Sequence, residues 1–269
     1  MSRSIVKKVA IAAPVDSVWT ALTEADELVR WFPLDARVTP GLGGSIWLSW
    51  GSGAEGEAPI TAWDPHRRFG WTETRAAVKL AVDFHLETDG SKTIVRLVQS
   101  GFSDSKDWDD EFNITSARWS YFMEHLRFYV EQKRGLPRDL ISFRRPMAMD
   151  PHEAFERLIG PAGLSTEATL RHLQPSDRFA ATTATGDALS GSVIASRVTT
   201  CQFGIKVDEL GGAFLFVEIE PHKDGCRPAL WLSTYGLGKE LEPVRARFER
   251  LYESALAPEL NVTVGARRR

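Results

Sequence analysis

Side chains able to do chemistry are plentiful in this chain, but few stand at spacings that a reaction needs. Six histidines (His66, His85, His125, His152, His172 and His222) are scattered singly, with no pair at metal-ligand spacing. His66 falls in a turn and His85 alternates with apolar neighbours, so both are expected to face solvent. His125, between Met123 and Leu126, borders an apolar helical stripe, where packing is the expected role and contact with a pocket the lesser alternative. Cys201 and Cys226 are the only cysteines, and in a chain of this size they are expected to be buried thiols. No serine or cysteine sits in a nucleophile elbow, and no triad order can be traced. Gly51-Ser52-Gly53-Ala54-Glu55-Gly56 satisfies the letter of a dinucleotide fingerprint. That mechanism needs a helix next, to meet the pyrophosphate, and here a Pro-containing strand follows. No catalytic residue, metal or cofactor is expected.

What remains is binding chemistry. Eight of the nine tryptophans precede residue 120. Strand parity sets Val95, Leu97 and Gln99 on one face, and Phe69, Trp71 and Glu73 together on another strand. Two polar groups among aromatic rings are what a small-molecule pocket requires; the competing reading puts Gln99 and Glu73 at strand ends, satisfied by water. The candidate ligand-binding set is Trp19, Trp31, Phe32, Trp50, Phe69, Trp71, Glu73, Gln99, Trp119, Met123 and Leu126. Trp47 belongs to the same aromatic group. Trp231, in the other half of the chain, is expected to lie away from the site.

Periodicity and turn signals mark the strands and helices that carry these residues. A strand over 4–12 ends at Pro14, which with Asp16 opens a helix whose apolar face runs from Val18 to Phe32. Strands follow over 45–50, 60–63, 68–74, 79–87 and 92–99, the last two joined by an Asp89-Gly90 turn. The clearest element is a long helix. Trp119, Phe122, Met123, Leu126, Tyr129 and Val130 recur at helical steps, with acids at its start and Lys133-Arg134 before Gly135 at its end. One such helix laid across a curved antiparallel sheet cannot fill the concavity, so a cavity is expected.

After Pro137 the order begins again. Leu140–Met147 opens it, Asp150–Leu158 echoes Pro14–Leu22, and strands are expected over 167–173, 178–183, 191–198, 200–207 and 212–219. A last helix carries Leu241, Val244, Phe248, Leu251 and Tyr252 on one face. The expected fold is α+β: two tandem helix-grip domains, residues 1–136 and 137–269, each a curved antiparallel sheet wrapped around a long C-terminal helix. The second copy is expected to be diverged, smaller and mostly filled.

Composition supports a folded chain of 269 residues, with 43% hydrophobic and 26% charged residues. A net charge of −3 gives no reason to expect nucleic acid, and the basic tail Ala266–Arg269 is too short to alter that. No run approaches a spanning helix and no signal-peptide pattern opens the chain. The location expected is cytoplasmic, without membrane insertion.

AAPVDSVWTALTEADELVRWF, GLGGSIWLSW, WDPHRRFGWTET, SKTIVRLVQSGF and DEFNITSARWSYFMEHLRFYVEQKRG together resemble the START-like (SRPBCC, birch-pollen-allergen-like) superfamily. Within it they are similar to the branch of activator of heat-shock-protein-90 ATPase homologues. The resemblance implies the helix-grip fold and a cavity for hydrophobic small molecules. Where many relatives carry His-Ser/Thr-Gly-Phe, this chain has Gln99-Ser100-Gly101-Phe102, which argues against acid–base work there. The leading expectation is therefore binding of a hydrophobic, aromatic small molecule by the first domain. A chaperone ATPase is the alternative partner, ranked second because the first domain begins almost at Met1, without the extra N-terminal module of the eukaryotic co-chaperone. A cyclase or hydrolase using Glu73, Gln99 or His125 stands third.

Overall fold

The computed structural model describes residues 2–51, 53–75 and 78–257. Ser52 of the glycine-rich loop and the basic tail 266–269 lie outside them. Strand Ser2–Ile11 (β1) buries Ile5, Val9 and Ile11. Helix Val15–Thr23 (α1) starts directly after Pro14, with Asp16 in its first turn. The single helix expected to reach Phe32 is broken at Glu24, whose backbone is extended, and resumes briefly as Ala25–Leu28 (α2).

Six more strands follow: Asp35–Thr39 (β2), Ser45–Ser49 (β3), Glu55–Asp64 (β4), Arg68–Arg75 (β5), Val78–Asp89 (β6) and Lys92–Ser103 (β7). β2 is not among the expected strands, and β4 begins at Glu55, inside the glycine-rich 51–56 segment and ahead of the strand expected from residue 60. With β1 they form an antiparallel sheet in the order β1-β7-β6-β5-β4-β3-β2. Bulges in β1 at Arg3/Ser4 and in β4 at Ile60/Ala62 bend it. β7 needs its glycine: Gly101 has φ +102°, and a Cβ there would meet the Lys79 carbonyl oxygen at 2.1 Å. Helix Asp109–Phe128 (α3) crosses the sheet and ends in a π turn over Tyr129–Lys133.

The second half runs Arg138–Arg144 (β8), Pro151–Ile159 (α4), Arg178–Thr182 (β9), Ala188–Arg197 (β10), Gln202–Val207 (β11), Ala213–His222 (β12), Gly225–Tyr235 (β13) and Leu241–Ala255 (α5). Asp150 caps α4 through the backbone N–H groups of His152 and Glu153. The sheet order is β8-β13-β12-β11-β10-β9. The strand expected over 167–173 does not form; Leu170–His172 is a 3-10 turn capped by the Thr169 hydroxyl. β13 is hidden in the sequence, because Pro228 inside a strand paired on both sides reads against strand.

Both halves are therefore α+β, each an antiparallel sheet with a long C-terminal helix. α4 and α5 cover one face of the second sheet, enclosing Phe155, Phe203, Leu215, Val217, Leu232 and Phe248. α3 covers the other. Its Tyr121, His125 and Phe128 rings all contact Phe214 of β12. Among the described residues no helix is long and apolar enough to cross a membrane.

Candidate functional site

The register of the first sheet aligns one inward row: Ile60 opposite Trp71, Trp71 opposite Val82, Val82 opposite Gln99, and Gln99 opposite Ile5. Gln99 lies within β7 rather than at its end, is buried, and accepts a hydrogen bond at 2.5 Å from the Trp119 indole N–H. That bond fixes its carbonyl towards the helix and leaves its amide N–H groups as the donors available to a ligand.

Above this row lies a cleft of about 650 Å³. Trp71, Val82 and Gln99 form its floor and Trp119 and Phe122 of α3 one side. Phe32, Trp50 and the inward residues of β3 form another. The rings are mutually braced. Phe32 stacks on Trp119 at 5.2 Å and meets Trp50 and Phe122 edge-on at 5.3 and 4.8 Å.

Of the residues expected to bind ligand, Phe32, Trp50, Trp71, Glu73, Gln99 and Trp119 line this cleft. Trp19, Trp31, Phe69, Met123 and Leu126 do not; they are buried in the core. Trp31 donates its indole N–H to the Ala21 carbonyl at 2.9 Å, and Trp19 packs edge-on against Trp63 and Phe69. These positions have the right periodicity but a different depth. Trp47 sits on the outer face, under the Arg37 guanidinium at 4.0 Å.

The remaining wall comes from the second half, expected from the sequence to stand apart. Trp231 and Ser233 of β13, Phe216, Glu218 and Glu220 of β12, and Arg138, Leu140 and Arg144 of β8 all line the cleft. Trp231 is thus a cleft residue, because the outer face of the second sheet closes the concavity of the first. The signal is present in the chain: Ala213-Phe214-Leu215-Phe216-Val217 is an unbroken apolar run, as in strands covered on both faces.

Charge in this wall is largely self-neutralised. Arg118 of α3 holds the buried Glu218 through two nitrogens, at 2.9 and 2.8 Å, and reaches Glu220 at 3.5 Å. The Glu218 carboxylate raises the guanidinium pKa further above its usual value. Arg144 pairs with Glu220. Arg138 differs. Its guanidinium donates to the main-chain carbonyls of Phe32, at 3.3 Å, and of Pro33, and burial lowers its pKa.

Behind the cleft the halves are pinned by a polar knot. The Tyr235 hydroxyl donates to the Arg30 carbonyl, so its oxygen accepts from the His125 Nε2–H at 2.8 Å. That places the neutral imidazole with Nδ1 bare, buried and without a partner, its ring stacked on Phe214 at 4.6 Å. Burial, seconded by the nearby Arg138 charge, holds its pKa well below the ordinary histidine value. His125 therefore packs between the halves and does not line the cleft. Cys201 lies 3.3 Å from His152 Nδ1, and burial pushes its thiol up to about 11, which is unfavourable for a nucleophile. His66, expected to face solvent, is exposed but engaged, 2.7 Å from Asp16 and stacked near Trp19.

Residues 12–131 match the model of the family described as Activator of Hsp90 ATPase homolog 1-like protein. Among solved structures, the chain is similar to the Aha1 dimer from Colwellia psychrerythraea: 22% identity over 49% of this chain and 99% of that one, TM-score 0.45. Protein MLL2253 from Mesorhizobium loti matches with the same identity, coverage and score. DynU16, a protein of the dynemicin biosynthetic locus, is 18% identical and covers 94% of this chain and 96% of its own, with TM-score 0.42. No curated protein matches the chain.

Proposed function

We propose that the chain binds a hydrophobic, aromatic small molecule in the cleft between its two halves. The carrying observation is the cleft itself: about 650 Å³, floored by Trp71, Val82 and Gln99 and flanked by Phe32, Trp50, Trp119 and Trp231. That volume falls within the usual range for small-ligand sites, about 300–1,000 Å³. The match of residues 12–131 to a family that commonly holds hydrophobic ligands supports the same reading. The ligand-contacting residues are those lining the cleft, with Gln99 donating the central hydrogen bond.

On this reading the chain divides at residues 1–136 and 137–269, the second a diverged copy of the first. Supporting this, β8-β13-β12-β11-β10-β9 repeats the order β1-β7-β6-β5-β4-β3, with α4 and α5 in the places of α1 and α3. The protein works in the cytoplasm, in keeping with free, buried Cys201 and Cys226.

Native mass spectrometry of protein purified from its own host, followed by titration of tryptophan fluorescence with uncharged aromatic probes, tests the proposal. Trp71→Ala and Trp231→Ala are each expected to weaken binding by about tenfold, since each removes one wall. A Trp231→Ala protein that binds as the parent does would return the site to the first half alone. A panel that shifts neither fluorescence nor melting temperature would remove the proposal.

A second reading, a module acting on a chaperone ATPase, draws on the family description. A pull-down and ATPase assay with the host chaperone tests it, and silence in both removes it.

A further inference from the structure

We infer that the molecule held in the cleft carries an oxyanion beside its aromatic body, and that Arg138 is the residue that receives it. The inference rests on the cleft being a ligand site and adds the chemical class of the ligand.

Three arginines line the cleft: Arg118, Arg138 and Arg144. Arg118 and Arg144 are each bound to carboxylates of β12. Arg138 has no carboxylate within ion-pair distance among the described residues; its partners are the two carbonyl oxygens of Phe32 and Pro33. Those carbonyls take two of the guanidinium's five N–H donors and supply only partial negative charge. Arg138 is half-buried at the edge of the cleft, and a guanidinium does not lose its proton there, so a formal charge faces the cleft with no carboxylate to offset it.

The acids of the cleft do not fill this role. Glu218 and Glu220 belong to Arg118 and Arg144. Glu57 accepts from the Ser45 hydroxyl at 2.8 Å and is exposed, as is Glu55. Glu73 and Glu111 have interactions of their own, and neither is among the hydrogen-bond partners of Arg138. The polar groups that act electrostatically on Arg138 are the hydroxyls of Tyr235 and Tyr121, and His125 beside them is neutral.

Position points the same way. Phe32, whose carbonyl Arg138 holds, is the residue whose ring stacks on Trp119 and abuts Trp50. The cation therefore stands at the end of the aromatic wall. A flat ring lying against that wall brings a carboxylate, sulfonate or phenolate substituent towards Arg138, where it can accept charge-assisted hydrogen bonds. An uncharged ring fills the same space and leaves the guanidinium as it was.

Two fluorescent probes sharing one ring system decide the matter: anilinonaphthalene sulfonate, which is anionic, and phenylnaphthylamine, which lacks the sulfonate. The unaltered protein is expected to bind one equivalent of the sulfonate about tenfold more tightly than the neutral probe. Arg138→Gln should abolish that preference, weakening the sulfonate about tenfold while the neutral probe changes by less than about twofold. Arg138→Lys should keep part of the preference. Equal or tighter binding of the neutral probe by the unaltered protein overturns the anion assignment and leaves the cleft reading standing. So does an Arg138→Gln protein that loses both probes alike, which would mark the arginine as a strap between the halves. Failure of both probes to bind the unaltered protein brings down the cleft reading and this inference with it. Should Arg138→Gln not fold, the ratio of the two affinities in the unaltered protein still separates an anionic ligand from a neutral one.

Discussion

The two sheets share a strand order and differ in how many faces they bury. In β6 of the first sheet, Leu80, Val82, Phe84 and Leu86 are buried while the residues between them are only partly so. In β12 of the second, seven consecutive residues from Ala213 to Ile219 are buried. The first sheet has one covered face and one wet face. The second has α4 and α5 on one side and the first half's α3 on the other. Close approach on that side needs Gly204, where a Cβ would meet the Phe216 ring at 2.8 Å and Tyr121 at 3.4 Å. The same topology thus yields a cleft wall in one half and a filled slab in the other. The slab is also what closes the cleft.

The most severe way to test that contrast is at Phe214, fully buried on the outer face of β12. Phe214→Ala is expected to lower the unfolding free energy by about 3–5 kcal/mol in a urea titration. A cost under about 1 kcal/mol would mean this face behaves as ordinary surface, and the contrast would fail. A smaller effect is expected on the cleft side. Trp119→Phe keeps the ring but leaves the buried Gln99 carbonyl without its donor, at about 1–3 kcal/mol. Adding Gln99→Leu should cost less than the two single changes summed, because the orphaned acceptor is gone. Strict additivity would show that the bond does not couple β7 to α3.

The junction between the halves should titrate. His125 is held neutral by burial and by Arg138, among Tyr121, Tyr235 and Phe214. Its folded pKa lies below the unfolded value of about 6.5, so protons favour the unfolded chain. The stability it contributes is complete above that value and declines as pH falls below it, by up to about 1.4 kcal/mol per pH unit. His125→Phe should flatten that decline relative to the parent in denaturation at a series of pH values; an unchanged slope would place the titration elsewhere. The least effect is expected at Trp47, on the outer face with Arg37. Trp47→Ala should cost under about 1 kcal/mol and leave probe binding intact. Lost binding there would relocate the site to the wrong side of the sheet.

Features with a local period could be read from the chain alone. Alternation in β6 and β7 named the inward row and put Gln99 on it, and helical spacing picked out α3 with Trp119 towards the sheet. The Pro14 and Asp150 starts repeated in order, as the two folded halves do. Depth was less legible. Trp19, Trp31 and Phe69 carry the same aromatic pattern as Trp71 and Trp119, and only packing sends them to the core instead of the cleft. The second face of α3, carrying Tyr121, His125 and Phe128, was not singled out by helical spacing, and nothing adjacent to these residues in sequence says what they touch. Their partners Phe214 and Tyr235 lie roughly a hundred residues away. The same holds for the cleft's far wall: Arg138, Phe216 and Trp231 reach it only when the second sheet docks on α3. Parity along a strand tells which side a residue faces. What covers that side is set by contacts between distant segments, and these exist only once the chain has folded.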